Sequence, residues 1–173
     1  MDHMIPAWID GTLVPLDKLE VHRRGLKHKA VSVFVLHGDA VLLQRRALCK
    51  YHTPGLWANT CCTHPHWDES AEACVTRRLQ QELGITGLTQ DHRGQVEYRA
   101  DVGGGMIEHE VVEIFVSRVA TPPVLQPDPK EVMDTAWMPR ETLARAIAEN
   151  PDSFTPWLRI YLSDHAEQIF DQP

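Results

Sequence analysis

The sequence has few cysteines, a deficit of basic residues and no long apolar run, and each shortage excludes a class of protein. Its cysteines stand at irregular spacings, unlike the dense sets of small secreted disulfide scaffolds; they are Cys49, Cys61, Cys62 and Cys74. No stretch approaches the ~18 apolar residues that a membrane span needs. The first residues, MDHMIPAWIDG, lack the basic and apolar regions of a signal peptide. We therefore expect reduced thiols, a cytoplasmic location and no membrane partner.

The deficit of basic residues argues against a nucleic-acid partner. Lysine and arginine number 17 against 24 acidic residues, which gives a net charge of −7, and no basic stripe is interleaved with aromatics. A small anionic ligand would need metal ions or a local group of cations. At 173 residues and 43% hydrophobic content, the chain is long enough to bury a core. We predict one domain over residues 1–173.

Strands are predicted to dominate the centre of the chain, with helices interspersed. Period-two and β-branched runs predict strands at 30–36, 40–46, 94–100, 106–118 and 135–138. Caps and apolar spacing predict helices from Asp68 or Ser70 to Leu83, at 140–149, and from Pro156 towards 168. Residues 51–60 and the proline-rich 121–129 are predicted to be loops. This order indicates an α/β or α+β sandwich.

The stretch N59-T-C-C-T-H-P-H-W-D-E-S70 concentrates thiols, imidazoles and carboxylates in twelve positions. By itself this density leaves a zinc site, a disulfide, a catalytic thiol and plain coincidence open. A bond between the adjacent Cys61 and Cys62 would strain the backbone.

The segment from Thr63 to Ile85 has the spacing of a Nudix box, G-x5-E-x7-R-E-U-x-E-E-x-G-U, in which U is apolar. The positions that match are Glu69, Arg77, Leu79, Glu82, Gly84 and Ile85. Thr63 replaces the first glycine, and Arg78 and Gln81 replace two glutamates. Because Nudix hydrolases hold several divalent ions on these carboxylates, the substitutions argue against a multi-metal hydrolytic centre.

Nearly the whole chain resembles the type 1 isopentenyl-diphosphate isomerase family. The segments that carry the resemblance are R-R-A-L from Arg45, P-G-L-W-A-N-T-C-C-T-H-P from Pro54, V-E-Y-R-A from Val96, I-E-H-E-V from Ile107 and F-T-P-W from Phe154. The N-x-x-C-x-H-P run followed by E-x-E-V is much more specific than the helix box. The resemblance implies a Nudix-type α/β/α sandwich with a mixed central sheet.

The activity that this resemblance implies is the interconversion of isopentenyl and dimethylallyl diphosphate in isoprenoid biosynthesis. Moving the double bond requires a proton donor, a base on the opposite face and a dry pocket that tolerates positive charge. The resemblance assigns the proton transfers to Cys62 and Glu110. Tyr98 would bind the Glu110 carboxylate, and the Trp157 indole would stabilise the cationic carbon.

The resemblance also implies a metal site and a diphosphate site. Imidazole and carboxylate ligands suit Mn²⁺, Mg²⁺ or Zn²⁺, and the implied set is His22, His28, His64, Glu108 and Glu110. Glu108 and Glu110 fall on one face of a strand because side chains alternate. Glu82 would hold a second Mg²⁺ that arrives with the diphosphate. The implied phosphate-binding cations are Lys18, Arg46, Lys50 and Arg78.

Two other functions stay open at this point. The first is a Nudix-type diphosphohydrolase of a nucleotide or prenyl diphosphate, and the second is a zinc-binding interaction module, which the missing paired C-x2-C knuckles disfavour. The remaining histidines, His52 among them, are interpreted as structural or solvated. We expect a monomer or a weak homodimer.

Overall fold

A computed structural model of the chain describes residues 4–171, in which nine strands form one mixed sheet flanked by helices. The strands are β1 (Met4–Ile9), β2 (Thr12–Asp17), β3 (Lys27–His37), β4 (Ala40–Arg46), β5 (Trp57–Ala58), β6 (Cys61–Thr63), β7 (Asp91–Gly103), β8 (Met106–Arg118) and β9 (Val132–Pro139). The helices are α1 (Lys18–Arg24), α2 (Ala71–Leu83), α3 (Arg140–Glu149), α4 (Pro156–Asp164) and α5 (Ala166–Phe170).

Strand β3 organises the sheet because it pairs with four others. It runs antiparallel to β1, β4 and β6 and parallel to β8. β8 pairs on its other side with β7, and β4 pairs with β5 and β9, all antiparallel. One parallel pair inside an otherwise antiparallel sheet makes the sheet mixed, as predicted.

The two faces of the sheet carry separate apolar cores. Successive side chains of a strand point to opposite faces, so Val31, Val33 and Val35 of β3 pack with α2, whereas Ala30 and Phe34 pack with residues from the three C-terminal helices. Helices thus cover both faces, and the α/β/α sandwich is confirmed. None of the helices in residues 4–171 is long and apolar enough to span a bilayer.

Helix α2 begins and ends where its local sequence predicts. The Ser70 side chain accepts a hydrogen bond from the Ala73 amide and satisfies one of the free N–H groups of the first turn. Gly84 ends the helix at φ +70, a left-handed conformation that costs glycine little. The face bearing Val75 and Leu79 is buried against the sheet.

Several elements differ from the prediction. The β1–β2 hairpin and α1 were not predicted, and β3, β7 and β9 are longer than expected. β5 lies within the segment interpreted as a loop, and β6 directly follows that segment. The C-terminal helix divides at His165, whose non-helical backbone separates α4 from α5. β4, β8 and α3 have the predicted bounds.

Candidate active site and metal centre

The centre of the site is strand β8, which presents Glu108 and Glu110 on one face. Both carboxylates are buried, at 2% and 1% exposure, so each needs polar partners from neighbouring elements. The sheet register supplies them to Glu110: His28 of β3 is its partner on one side and Tyr98 of β7 on the other. The alternation expected for the two glutamates is therefore what brings both into the site.

Three imidazoles from separate elements converge on one oxygen of the Glu108 carboxylate. Glu108 Oε2 lies 3.1 Å from His22 Nε2, 3.3 Å from His28 Nε2 and 3.8 Å from His64 Nε2. His22 comes from the last turn of α1, His28 from the start of β3, and His64 follows β6 directly. The four residues are all buried, and their ligand atoms lie within 4.8 Å of one another.

The hydrogen-bonding roles of these atoms suit a cation. His22 Nδ1 lies 2.6 Å from the Lys18 carbonyl oxygen and His28 Nδ1 lies 2.7 Å from that of Leu26. A carbonyl only accepts, so each Nδ1 carries a hydrogen, and in the neutral form of each ring Nε2 directs a lone pair at the carboxylate. Within residues 4–171, His22 Nε2 and Glu108 Oε2 make no hydrogen bond. Buried electron-pair donors facing one another, with backbone carbonyls orienting the rings, fit a divalent metal.

The electrostatics of the centre favour ionised carboxylates. Burial alone would raise the pKa of Glu108, but contacts with four histidines outweigh it and hold that pKa well below its usual range. Burial and the Glu108 charge act to raise the pKa of Glu110, and the contacts with His28 and His64 lower it overall. Burial would lower the pKa of His28, yet the two carboxylates raise it to about 10. The site therefore retains positive charge between its carboxylates, as a proton or as a metal ion.

Glu110 also belongs to a second group of polar side chains. Its Oε1 lies 2.9 Å from His64 Nε2, and the Tyr98 hydroxyl donates to its Oε2 at 2.6 Å. The hydrogen bond expected between Tyr98 and Glu110 is thus present. Burial raises the pKa of the Tyr98 hydroxyl well above its usual range, with the Glu110 charge adding to the effect. Tyr98 is therefore a neutral hydrogen-bond donor.

Cys62 lines the same cleft, whereas Cys61 points to the opposite face of β6. Cys61 is fully buried in the core under α2, and Cys62 is half-buried beside Glu110 and Tyr98. Burial raises the pKa of the Cys62 thiol well above its usual range, the Glu110 and Glu108 charges raise it further, and the Ser32 hydroxyl opposes them. Cys62 is therefore protonated.

A group of cations lines the other part of the cleft. Its members are Lys18, Arg46, Lys50 and Arg78. Arg78 Nη2 lies 2.6 Å from Glu82 Oε1 and 3.1 Å from Glu131 Oε1, and Lys50 Nζ binds the other Glu131 oxygen. Burial, with the Lys50 charge next, lowers the pKa of Lys18 to about 8. Several cations around few carboxylates make this part of the cleft suitable for a phosphate group.

Arg46 and Trp157 connect the cations to the buried end of the cleft. The Arg46 guanidinium carbon lies 5.3 Å from the centre of the Trp157 ring, and Arg46 Nε is buried without a hydrogen-bond partner in the described part of the chain. Trp157 is 2% exposed, in the first turn of α4. An indole face can stabilise a nearby cationic carbon in the same way as it holds Arg46.

The predicted site residues are brought together without exception. All line one cleft, apart from His22 and His28, which lie directly beneath it in the metal cluster. Glu82 Oε2 accepts a hydrogen bond from Gln44 at 2.8 Å while Oε1 holds Arg78.

The prediction missed Gln44, Tyr51, His52 and Glu131, which also line the cleft. His52, which was interpreted as structural or solvated, is buried, and its Nε2 lies 2.9 Å from Glu108 Oε1. Burial lowers the pKa of His52 to about 4, with the Glu108 contact acting against it. Y51-H-T53 has no local metal or catalytic pattern. The only available signal was position, since the stretch lies between Lys50 and the P-G-L-W segment.

The fold and the site define a Nudix-type domain in which the residues that could hold a metal ion lie on or next to the sheet and on α1 rather than along the box helix. Residues 26–158 match the family model of the NUDIX domain. The fold is shared with a crystal structure from Deinococcus radiodurans, with a TM-score of 0.74 at 12% identity over 92% of this chain and 96% of that one. A MutT NUDIX hydrolase from Burkholderia pseudomallei has a TM-score of 0.63 at 20% identity, over 80% and 98% of the two chains.

Curated relatives narrow the assignment. An isopentenyl-diphosphate Delta-isomerase of Cereibacter sphaeroides (strain ATCC 17025 / ATH 2.4.3) is 62% identical over 98% of this chain and 96% of its own length. Relatives of the same name from Roseobacter denitrificans and Rhodobacter capsulatus are each 60% identical, over 99% and 98% of this chain and 98% and 96% of their own lengths. The chain belongs to the Nudix superfamily and, within it, to the family of isopentenyl-diphosphate Delta-isomerases.

Proposed function

We propose that this chain interconverts isopentenyl diphosphate and dimethylallyl diphosphate. One observation carries the proposal: a single cleft brings a protonated thiol, an ionised carboxylate and an indole face next to a group of cations. The cations suit the diphosphate, and the remaining groups suit the five-carbon chain. The relatives that share about 60% of the sequence carry the name of this activity.

The reaction needs one group that gives a proton and one that takes a proton. The alkene π electrons bond to a proton at C4, which leaves a tertiary cation, and loss of a C2 proton supplies the electrons of the new double bond. Cys62 and Glu110 together hold one transferable proton, because burial keeps the thiol neutral and the histidine contacts keep the carboxylate ionised. After one turnover the proton resides on the other group, from which the reverse reaction starts.

Tyr98 and Trp157 would serve the charged stages of the reaction. The Tyr98 hydroxyl holds the Glu110 carboxylate in one orientation, so proton transfer occurs along a fixed direction. The Trp157 ring would face the developing cation, a contact worth about 2 kcal/mol when desolvated. Both side chains are buried, which keeps water from reacting with the cation.

The cations of the cleft would bind the diphosphate. Arg46, Arg78 and Lys50 would contact phosphate oxygens, Lys18 would add a fourth positive charge, and Glu82 would hold an Mg²⁺ that arrives with the substrate. A second divalent ion, Mn²⁺, Mg²⁺ or Zn²⁺, would be bound by His22, His28, His64, Glu108 and Glu110. Its charge would stabilise the ionised form of Glu110.

A diphosphohydrolase is the weaker candidate because of Arg78. Where the Nudix box has a metal-binding glutamate, Arg78 instead forms an ion pair with Glu82, the matching box carboxylate that remains beside it. The Glu82 charge is therefore already neutralised in part, and the helix offers few ligands for the several ions that such hydrolysis uses.

The test is incubation with isopentenyl diphosphate, Mg²⁺ and Mn²⁺ in D₂O, followed by NMR and a phosphate assay. We expect double-bond migration with deuterium in the product and no phosphate release. Phosphate release without migration would contradict the proposal in favour of hydrolysis. Metal binding and unfolding on chelation, without turnover, would favour the zinc-binding module. The single domain, the cytoplasmic location, the absence of a nucleic-acid partner and the monomeric or weakly dimeric state stay predictions.

A further inference from the structure

His52 contacts the Glu108 carboxylate at the oxygen that the three histidines of the metal cluster do not face. The residue lies in the connection between β4 and β5, is 5% exposed, and places Nε2 at 2.9 Å from Glu108 Oε1. The other oxygen, Oε2, is the one that faces His22 and His28. The two oxygens of the Glu108 carboxylate thus have different partners: His52 contacts Oε1, and the metal-cluster histidines face Oε2.

Neutral His52 can donate a hydrogen bond to Glu108 from Nε2, whereas His22 and His28 cannot when their rings are neutral, as metal ligands are. The rings of His22 and His28 carry their hydrogen on Nδ1, against backbone carbonyls. His52 Nδ1 lies 3.0 Å from the Thr53 hydroxyl, which can donate. With the hydrogen on Nε2, His52 satisfies both Thr53 and Glu108, whereas the other tautomer would set a lone pair against the carboxylate.

The backbone around His52 is strained in a way that keeps the ring in place. Thr53 has φ +46, and a β-branched residue rarely adopts this left-handed conformation unless its surroundings impose it. The His52 carbonyl accepts a hydrogen bond from Arg46 Nη2 at 3.2 Å. Tyr51 and Trp157 pack edge-on against the ring, with centroids 4.4 and 5.9 Å away. The ring is therefore held on several sides.

We propose that His52 is a positioning residue that orients the Glu108 carboxylate, so that Oε2 is presented to the histidine nitrogens and binds the metal. The proposal rests on the metal site of the proposed function and not on the isomerase reaction. Partners that orient a metal ligand typically contribute 10–100-fold to metal affinity. His52 is thus expected to set how tightly the cluster holds its ion.

The experiment is a calorimetric titration of the full chain with Mn²⁺, after removal of bound metal by chelation and dialysis. We expect His52→Leu to raise the Kd for Mn²⁺ about 10–100-fold, because the donor is lost while the side chain remains bulky. His52→Gln should stay within about threefold of the parent, since its amide nitrogen can take the place of Nε2. His37→Leu is the matched control: His37 contacts the Val119 carbonyl, away from the cleft, and its loss should leave the Kd unchanged.

Two outcomes would overturn the proposal in a folded protein. An unchanged Kd in His52→Leu would show that Glu108 needs no orienting donor, and equal losses in the Leu and Gln variants would assign the effect to packing. Should His52→Leu fail to fold by circular dichroism, His52→Asn replaces it, because its amide is too short to reach Oε1 and the same loss is expected. A parent chain that binds no Mn²⁺ would also overturn it. A parent that binds Mn²⁺ but does not isomerise would refute the proposed function and leave this inference standing.

Discussion

The adjacent cysteines provide the sharpest test of the proposed chemistry, because one strand directs them to opposite faces of the sheet. Cys61 packs under α2 and is fully buried, and Cys62 faces the cleft. The two variants Cys61→Ala and Cys62→Ala remove the same atom from neighbouring positions. They are therefore each other's control.

Cys61→Ala is expected mainly to lower stability, whereas Cys62→Ala is expected mainly to lower activity. Cys61→Ala leaves a small void in a packed core, which should cost about 1–2 kcal/mol and lower Tm by about 2–8 °C in a chain of this size. Its activity should stay within about threefold of the parent at 25 °C. Cys62→Ala removes the proposed proton-transfer group, and such groups contribute about 10²–10⁴-fold to the rate. Its stability should change less, because Cys62 is only half-buried.

The assay is kcat for isopentenyl diphosphate at saturating substrate, with Tm from circular dichroism for each variant. A folded Cys62→Ala variant that keeps activity within tenfold of the parent would contradict the proposed role of this thiol. A folded Cys61→Ala variant that loses as much activity as Cys62→Ala would also contradict it, since the effect would then belong to strand β6 rather than to the thiol that faces the cleft.

Three further changes test other parts of the structure. Tyr98→Phe removes a charge-assisted hydrogen bond to Glu110, worth about 1.5–3 kcal/mol, so kcat should fall about 10–100-fold with substrate KM nearly unchanged; an unaltered kcat would refute the role. Lys18 has a pKa lowered to about 8 and loses its charge above that pH, so kcat/KM should decline as the pH rises through 8. In Lys18→Arg this decline should disappear, and a decline that persists would assign it to another group. Gly84 has φ +70, and a Cβ added there would lie 2.8 Å from the Gln126 side chain. Gly87 has a similar φ of +73, but a Cβ added there would meet nothing within 4 Å. Gly84→Ala and Gly87→Ala should both lose about 1 kcal/mol or more in urea unfolding, with Gly84→Ala clearly the less stable; equal losses would contradict the predicted clash.

Local sequence signals were enough wherever the structure depends on neighbours along the chain. Ser70 and Gly84 mark the ends of α2 because a cap hydroxyl and a left-handed glycine act within one turn. The alternation of Glu108 and Glu110 follows from strand geometry alone, whatever the strand pairs with. The bounds of β4 and β8 follow in the same way from turn residues next to β-branched runs.

The N-terminal elements could not be predicted with these signals. β1 and β2 each contain a proline, Pro6 and Pro15, which stand opposite each other in the hairpin. Proline is a signal against an interior strand, and β2 is largely exposed, so it shows no clear apolar alternation. The hairpin is stabilised by packing on β3 and α1. The sequence of the hairpin itself does not reveal these contacts.

By itself, the sequence predicted which side chains form the site. The C-x-H-P and E-x-E segments point to the thiol and the carboxylates, and the altered box points to the loss of hydrolytic ligands. Only the tertiary structure decided the surroundings of those groups. His52 reaches Glu108, and Glu131 reaches Lys50 and Arg78, across long separations in the chain. These contacts arise from the pairing of β3 with β8 and from the path of two connections, and a pattern of neighbouring residues carries no information about either.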